Sequence, residues 1–76
     1  MTGWYFETRA GIVSIRPVGG RFGLFLGDEN LGSYHSPMAA ADDAAGGHTL
    51  TPSNGVDLGR LGIPEDIDEW TPIRHR

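Results

Sequence analysis

Apolar and polar residues alternate through the first part of the chain. In IVSIRP (residues 12–17), Val13 and Ile15 fall on one side, and Ser14 and Arg16 on the other. RFGLFLG (residues 21–27) repeats the pattern. Phe22, Leu24 and Leu26 share a side, and Phe25 falls opposite, beside Gly23. A period of two predicts strands. WYFETR (residues 4–9) is rich in aromatic and β-favouring residues and stops at Ala10-Gly11. LGSYH (residues 31–35) reads as a short fourth strand. Gly19-Gly20 is a hairpin signal, and Asp28-Glu29-Asn30 is a run at home in turns. Pro17 lacks a ladder donor, so it belongs at a strand's end. Three tight turns in a row predict an antiparallel meander.

The period then changes. Ser36 is placed to cap a helix, and Pro37 suits the first helical position, where an N–H would be unpaired anyway. The good helix formers of residues 38–45 follow, interrupted by Asp42 and Asp43, and Gly46-Gly47 supplies a left-handed cap. A helix of about nine residues is too short to stand alone in water, so it must dock. Met38, Ala41, Ala44 and Ala45 form a thin apolar stripe whose small side chains let the helix approach the sheet closely.

Residues 48–62 read as a loop, ordered where Val56, Leu58 and Leu61 find apolar cover. One helical turn is expected after Pro64, with Ile67 and Trp70 three apart on one side and Trp70 as the tail's anchor. The expected fold class is α+β. A three- to four-stranded antiparallel meander carries one short helix on one face and an irregular C-terminal tail. Residues 1–76 make one small domain, with 4–47 as sheet plus helix and 48–76 as loop and tail.

Composition tightens this picture. Seventy-six residues without cysteine exclude disulfide or thiolate staples. A small apolar core must suffice, drawn from Trp4, Phe6, Val13, Ile15, Phe22, Leu24, Leu26, Leu31, Tyr34 and Trp70. The first residues lack the basic-then-apolar pattern of a signal peptide, and no run approaches the roughly 20 apolar residues of a membrane span. A cytoplasmic protein is expected. Net charge is −4, which weighs against nucleic acid. The distribution is uneven: residues 1–27 balance to +2, residues 28–73 to −8, and Arg74 with Arg76 returns +2. All six basic residues are arginine, the better side chain for bidentate contacts to carboxylate or phosphate.

Few residues are arranged for chemistry. Asp42 and Asp43 with His35 and His48 supply metal-ligand types, but adjacent helical residues point about 100° apart. One aspartate is expected in solvent and the other on a hydrogen-bond duty. His48 complements the dipole at the helix end. Gly19-Gly20 is followed by none of the residues a phosphate loop demands. Ser33, His35 and Ser36 lack a nucleophile-elbow context. Glu65, Asp66, Asp68 and Glu69 read as a solvated face. A chain this size offers little room for a deep pocket of ~300 Å³ or more. No catalysis, cofactor or metal is expected.

Residues 4–49, with WYF, RP and LGSYHSPMAAADD, resemble a family of small uncharacterised bacterial proteins carrying the block WYF…RP…LGSYxSPxxAADD. DEW at residues 68–70 is similar to that family's aromatic-acidic tail. The resemblance implies no activity. A looser resemblance is to the AP2-type DNA-binding domain, three strands and then a helix, through Leu31, Gly32, Tyr34, Ser36, Ala40, Ala41 and Asp43. That resemblance implies a sheet face laid on DNA, here Tyr5, Arg9, Arg16 and Arg21. Three arginines fall short of the six to ten phosphate contacts usual for a specific binder.

The surface of most interest is the sheet face away from the helix. Alternation gathers Tyr5, Arg9, Ile12, Arg16, Arg21 and Phe25 there, an aromatic and arginine composition typical of binding hot spots. Either this face is open, or the tail folds over it through Trp70 and Ile67. The function expected is a non-catalytic interaction module that uses the sheet face or an edge strand to bind a protein partner or itself. A nucleic-acid-binding module acting through the arginines is the alternative. No membrane partner is expected.

Overall fold

The computed structural model describes the backbone of residues 2–74 and the side chains of residues 3–73. The C-terminal arginine of the charge reading, Arg76, lies outside them. Strands β1 (Thr2–Thr8), β2 (Gly11–Val18), β3 (Arg21–Leu26) and β4 (Glu29–Tyr34) form the expected meander, followed by helix α1 (Pro37–Gly46). Single turns of 3-10 helix occupy Leu58–Arg60 and Ile67–Glu69. The chain closes with β5 (Thr71–Arg74), which pairs antiparallel with β1. The sheet therefore has five strands in the order β4-β3-β2-β1-β5, not three or four. The tail is not irregular to its end, because the free edge of β1 offers unpaired backbone groups that four tail residues fill.

Glycines set the hairpins. Gly19 and Gly20 take φ of 56° and 80° between the paired residues Val18 and Arg21, the two positive values that a two-residue turn of the primed type requires. The β3–β4 turn is shorter than Asp28-Glu29-Asn30 suggests. Gly27 and Asp28 alone form it, and Glu29 already pairs with Leu26. Pro17 pairs with Phe22, and β2 continues one residue beyond it. Trp4 with Ile15 is the last pair of β2 with β1, so the missing N–H of Pro17 breaks no bond on that side.

Alternation sorts the side chains as expected. Val13, Ile15, Leu24, Leu26 and Leu31 are buried beneath α1, with Trp4, Phe6, Phe22 and Tyr34 packed around them. The helix is rotated from the expected stripe. Ala40, Ala41 and Ala44 are fully buried, while Met38 is 57% exposed. Only methyl-sized groups fit where the axis lies this close to the sheet, so the methionine turns out to solvent. Ser36 caps the helix, its Oγ accepting from the Ala39 N–H at 3.1 Å, and Gly47 ends it in the left-handed conformation.

The C-terminal part completes the core with Leu58, Leu61, Ile63 and Trp70. Trp70 packs on Phe6 with ring centroids 6.1 Å apart, and its indole N–H donates to the Pro64 carbonyl at 2.9 Å. The loop between α1 and the first 3-10 turn is tied back to β4. The Leu50 N–H donates to the Leu31 carbonyl, and the Glu29 carboxylate accepts from both the N–H and the hydroxyl of Ser53.

Candidate functional site

Every apolar anchor of the tail lies on the helix side of the sheet. The opposite face is therefore open, and of the two arrangements left by the sequence the tail-covered one is not adopted. Among the described tail residues only β5 touches this face, extending its width and adding Ile73 beside Gly3.

Register fixes what the open face presents. Tyr5, Ser14 and Phe25 stand abreast on β1, β2 and β3. One step toward the β2–β3 turn, Arg16 lies opposite Gly23, which in turn lies opposite Ser33. One step the other way, Glu7 pairs with Ile12. Ile12 and Val18 are each 50% exposed, although both sit on the central strand. A shallow open concavity of about 420 Å³ crosses the face, lined by Tyr5, Ile12, Ser14, Arg16, Asp28 and Ile73 among others. It reaches the volume range of ligand pockets, but as a depression in a sheet surface and not as the deep pocket the chain length argued against.

Gly23 explains the relief of this surface. A β-carbon there would lie 2.7 Å from Cε1 of Phe25, so the aromatic ring lies flat across the glycine. The Arg16 guanidinium stacks on that ring, 3.9 Å from its centroid. This stacking hides the Arg16 Nε, which finds no hydrogen-bond partner among the described residues. No carboxylate lies within salt-bridge distance of Arg16 among the described residues. Arginine, phenylalanine and tyrosine thus form one low plateau, with the Arg16 guanidinium, free of any carboxylate among the described residues, at its centre.

Of the six residues that alternation gathers on this face, Arg21 and Arg9 stand apart. Arg21 lies at the β2–β3 end and is tied to β4. Its Nε donates to Ser33 Oγ at 2.7 Å, its Nη2 to the Ser33 carbonyl, and its Nη1 lies 3.3 Å from His35 Nδ1. Arg9 is not on a strand. It occupies the β1–β2 turn, beyond the last ladder pair of Thr8 and Gly11. A turn breaks the alternation on which its placement rested. The eight residues of β2 separate Arg9 from Arg21, roughly 23 Å at ~3.3 Å per step. Glu7 could have been placed here by the same period of two that placed Ser14 and Phe25. Asp28 depends on the turn geometry, and Ile73 on β5, which no pattern announces.

The metal-ligand types are dispersed. Asp42 is exposed, while Asp43 turns to the Tyr34 phenol, which lies over Gly32 as Phe25 lies over Gly23. Burial, and then the Asp43 charge and its hydrogen bond, push the Tyr34 pKa up to about 12. His48 packs against Gly46, and His35 sits beside Arg21. Among the described residues no three His, Cys, Asp or Glu side chains gather as a metal site, and no helix is long and apolar enough to cross a membrane. Compared with known proteins, the chain matches no family model, no curated protein and no solved structure.

Proposed function

We propose that this chain is a non-catalytic protein-binding module whose working surface is the open sheet face, with Tyr5, Arg16 and Phe25 at its centre. One observation carries the reading: the Arg16 guanidinium lies stacked on Phe25, Nε buried and without an acceptor, in the middle of an uncovered aromatic plateau. A buried donor without an acceptor costs roughly 1–3 kcal/mol, and more when charged. A partner that brings a carboxylate to the outer edge of the guanidinium pairs a cation that no carboxylate of the described residues reaches, and it covers Ile12 and Val18 as well.

The face supports this role better than the edges do. β5 is four residues long and contains Pro72, and the β4 edge is partly occupied by the Leu50 N–H. Short strands, proline and covering loops are the means by which sheets discourage edge pairing. The charge layout also favours protein over nucleic acid. Glu7 is exposed and Asp28 lines the concavity, Arg9 and Arg21 stand at opposite ends, and Arg21 is engaged with Ser33.

Site-specific photocrosslinking in cells tests the reading. A benzophenone side chain replacing Ile12 or Val18 is expected to capture protein, whereas the same group replacing the exposed Ala39 on α1 is not. No adduct from either face position, or equal capture from Ala39, overturns it.

A further inference from the structure

The charges of the open face run in one direction. Arg16 and Arg21 lie toward the β2–β3 turn, whereas Glu7 and Asp28 lie toward the opposite end, where the β1–β2 and β3–β4 turns are. The row of Tyr5, Ser14 and Phe25 lies between them. These four charges balance to zero on a chain whose net charge is −4. Most of the surface therefore repels a second copy, but this face does not.

We infer that the partner of this face is a second copy of the same chain, docked face to face about a two-fold axis that runs across the strands along the Tyr5, Ser14 and Phe25 row. The inference rests on the open face being a binding surface, and it specifies what binds there. A two-fold interface must be self-complementary, each residue meeting the counterpart of its own contact. Two in-plane axes are available. An axis along the strands sets arginine on arginine and acid on acid. An axis across the strands reverses their direction, so that Arg16 of each copy faces Ile12 of the other, with Glu7 on the neighbouring strand and Asp28 in the adjacent turn flanking it within reach of the long side chain. The aromatic row then packs on itself, and the outer edge of the Arg16 guanidinium gains a carboxylate partner in both copies. Stacked sheets sit about 10 Å apart, a gap that aromatic and arginine side chains span. Arg9, beyond the ladder in its turn, takes no part.

The size of the face sets the strength. Five strands about 4.8 Å apart and roughly 20 Å long give ~400 Å² in plan, below the roughly 800 Å² per partner of a standard interface. Association is therefore weak, with a dissociation constant on the order of 10 µM to 1 mM.

Sedimentation velocity on the full chain from 20 µM to 1 mM, with circular dichroism confirming that each variant folds, tests this. The wild type is expected to shift from monomer toward dimer across that range. Arg16→Glu and Asp28→Arg should each weaken association at least tenfold, and the two combined in one chain should restore it to within about threefold. Glu7→Arg with Arg16→Glu provides a second exchange should Asp28→Arg disturb its turn. A wild type that stays monomeric at 1 mM overturns the self-association. So do single reversals that associate like wild type, or exchanges that fail to rescue. A monomer that still forms adducts with another protein through Ile12 in cells overturns only the identity of the partner. Absence of adducts overturns the binding face itself.

Discussion

Replacing Trp70 with alanine tests the claim that the tail is part of the core and not an appendage. Trp70 is 3% exposed, packs on Phe6, and donates its indole N–H to Pro64 across six residues. A buried tryptophan hides about 150–250 Å², which at ~25 cal/mol per Å² comes to roughly 4–6 kcal/mol as an upper bound. Measured truncations of this kind cost about 3–5 kcal/mol. A chain of 76 residues is stabilised by about 4–11 kcal/mol in all. Trp70→Ala is therefore expected to remove between a third and all of the stability. Equilibrium urea unfolding followed by far-ultraviolet circular dichroism reads this without relying on the fluorophore being removed. Trp70→Phe separates the contributions. It keeps much of the packing but loses the bond to Pro64, for a cost of about 1–3 kcal/mol. Because β5 begins at the next residue, amide exchange at Ile73 should accelerate in both variants. A loss below about 1 kcal/mol for Trp70→Ala, with exchange at Ile73 unchanged, would refute the reasoning. The tail would then be held by something other than its aromatic anchor.

The remaining predictions concern the helix, the glycine–aromatic pairs and alkaline pH. Ser36→Ala removes the acceptor for the Ala39 N–H and should cost about 1 kcal/mol, lowering the melting temperature by roughly 4–8 °C, while Ser36→Asp should retain most of it. Gly23→Ala places a β-carbon 2.7 Å from the Phe25 ring, so the ring and the stacked Arg16 must move. The expected cost is about 1–3 kcal/mol, with loss of the ring-current shift on the Arg16 side-chain protons in NMR spectra. For Tyr34 the folded-state pKa of about 12 exceeds the usual 10.0. Folding therefore favours the protonated phenol, and its contribution is whole below pH 10 and lost as pH rises through 12. Unfolding measured between pH 9 and 12 should show this decline in the wild type and a shallower one in Tyr34→Phe. Asp43→Asn should lower the Tyr34 pKa in an absorbance titration at 295 nm.

Local rules carried most of this fold. The alternation in residues 12–17 and 21–27 gave the correct faces for Val13, Ile15, Leu24 and Phe25, because a strand's side chains have a strict period of two and a wrong register would expose the whole apolar set. Ser36, Pro37 and Gly47 gave the helix its bounds, because capping depends on backbone groups only a few residues away. The candidate face was legible to the same depth: Tyr5, Arg16 and Phe25 follow from alternation alone. What the sequence could not contain is whatever depends on distant chain segments meeting. The rotation of α1 that buries Ala40 and exposes Met38 is decided by how closely helix and sheet approach. β5 exists because the β1 edge is vacant when the tail arrives, and four residues with a proline carry no strand signal of their own. The side on which Trp70 docks decides whether the other face is open, and that choice is made by the aromatic gap beside Phe6. The alternating residues determined which side chains lie outward; the packing of a tail some fifty residues downstream left that outward surface bare.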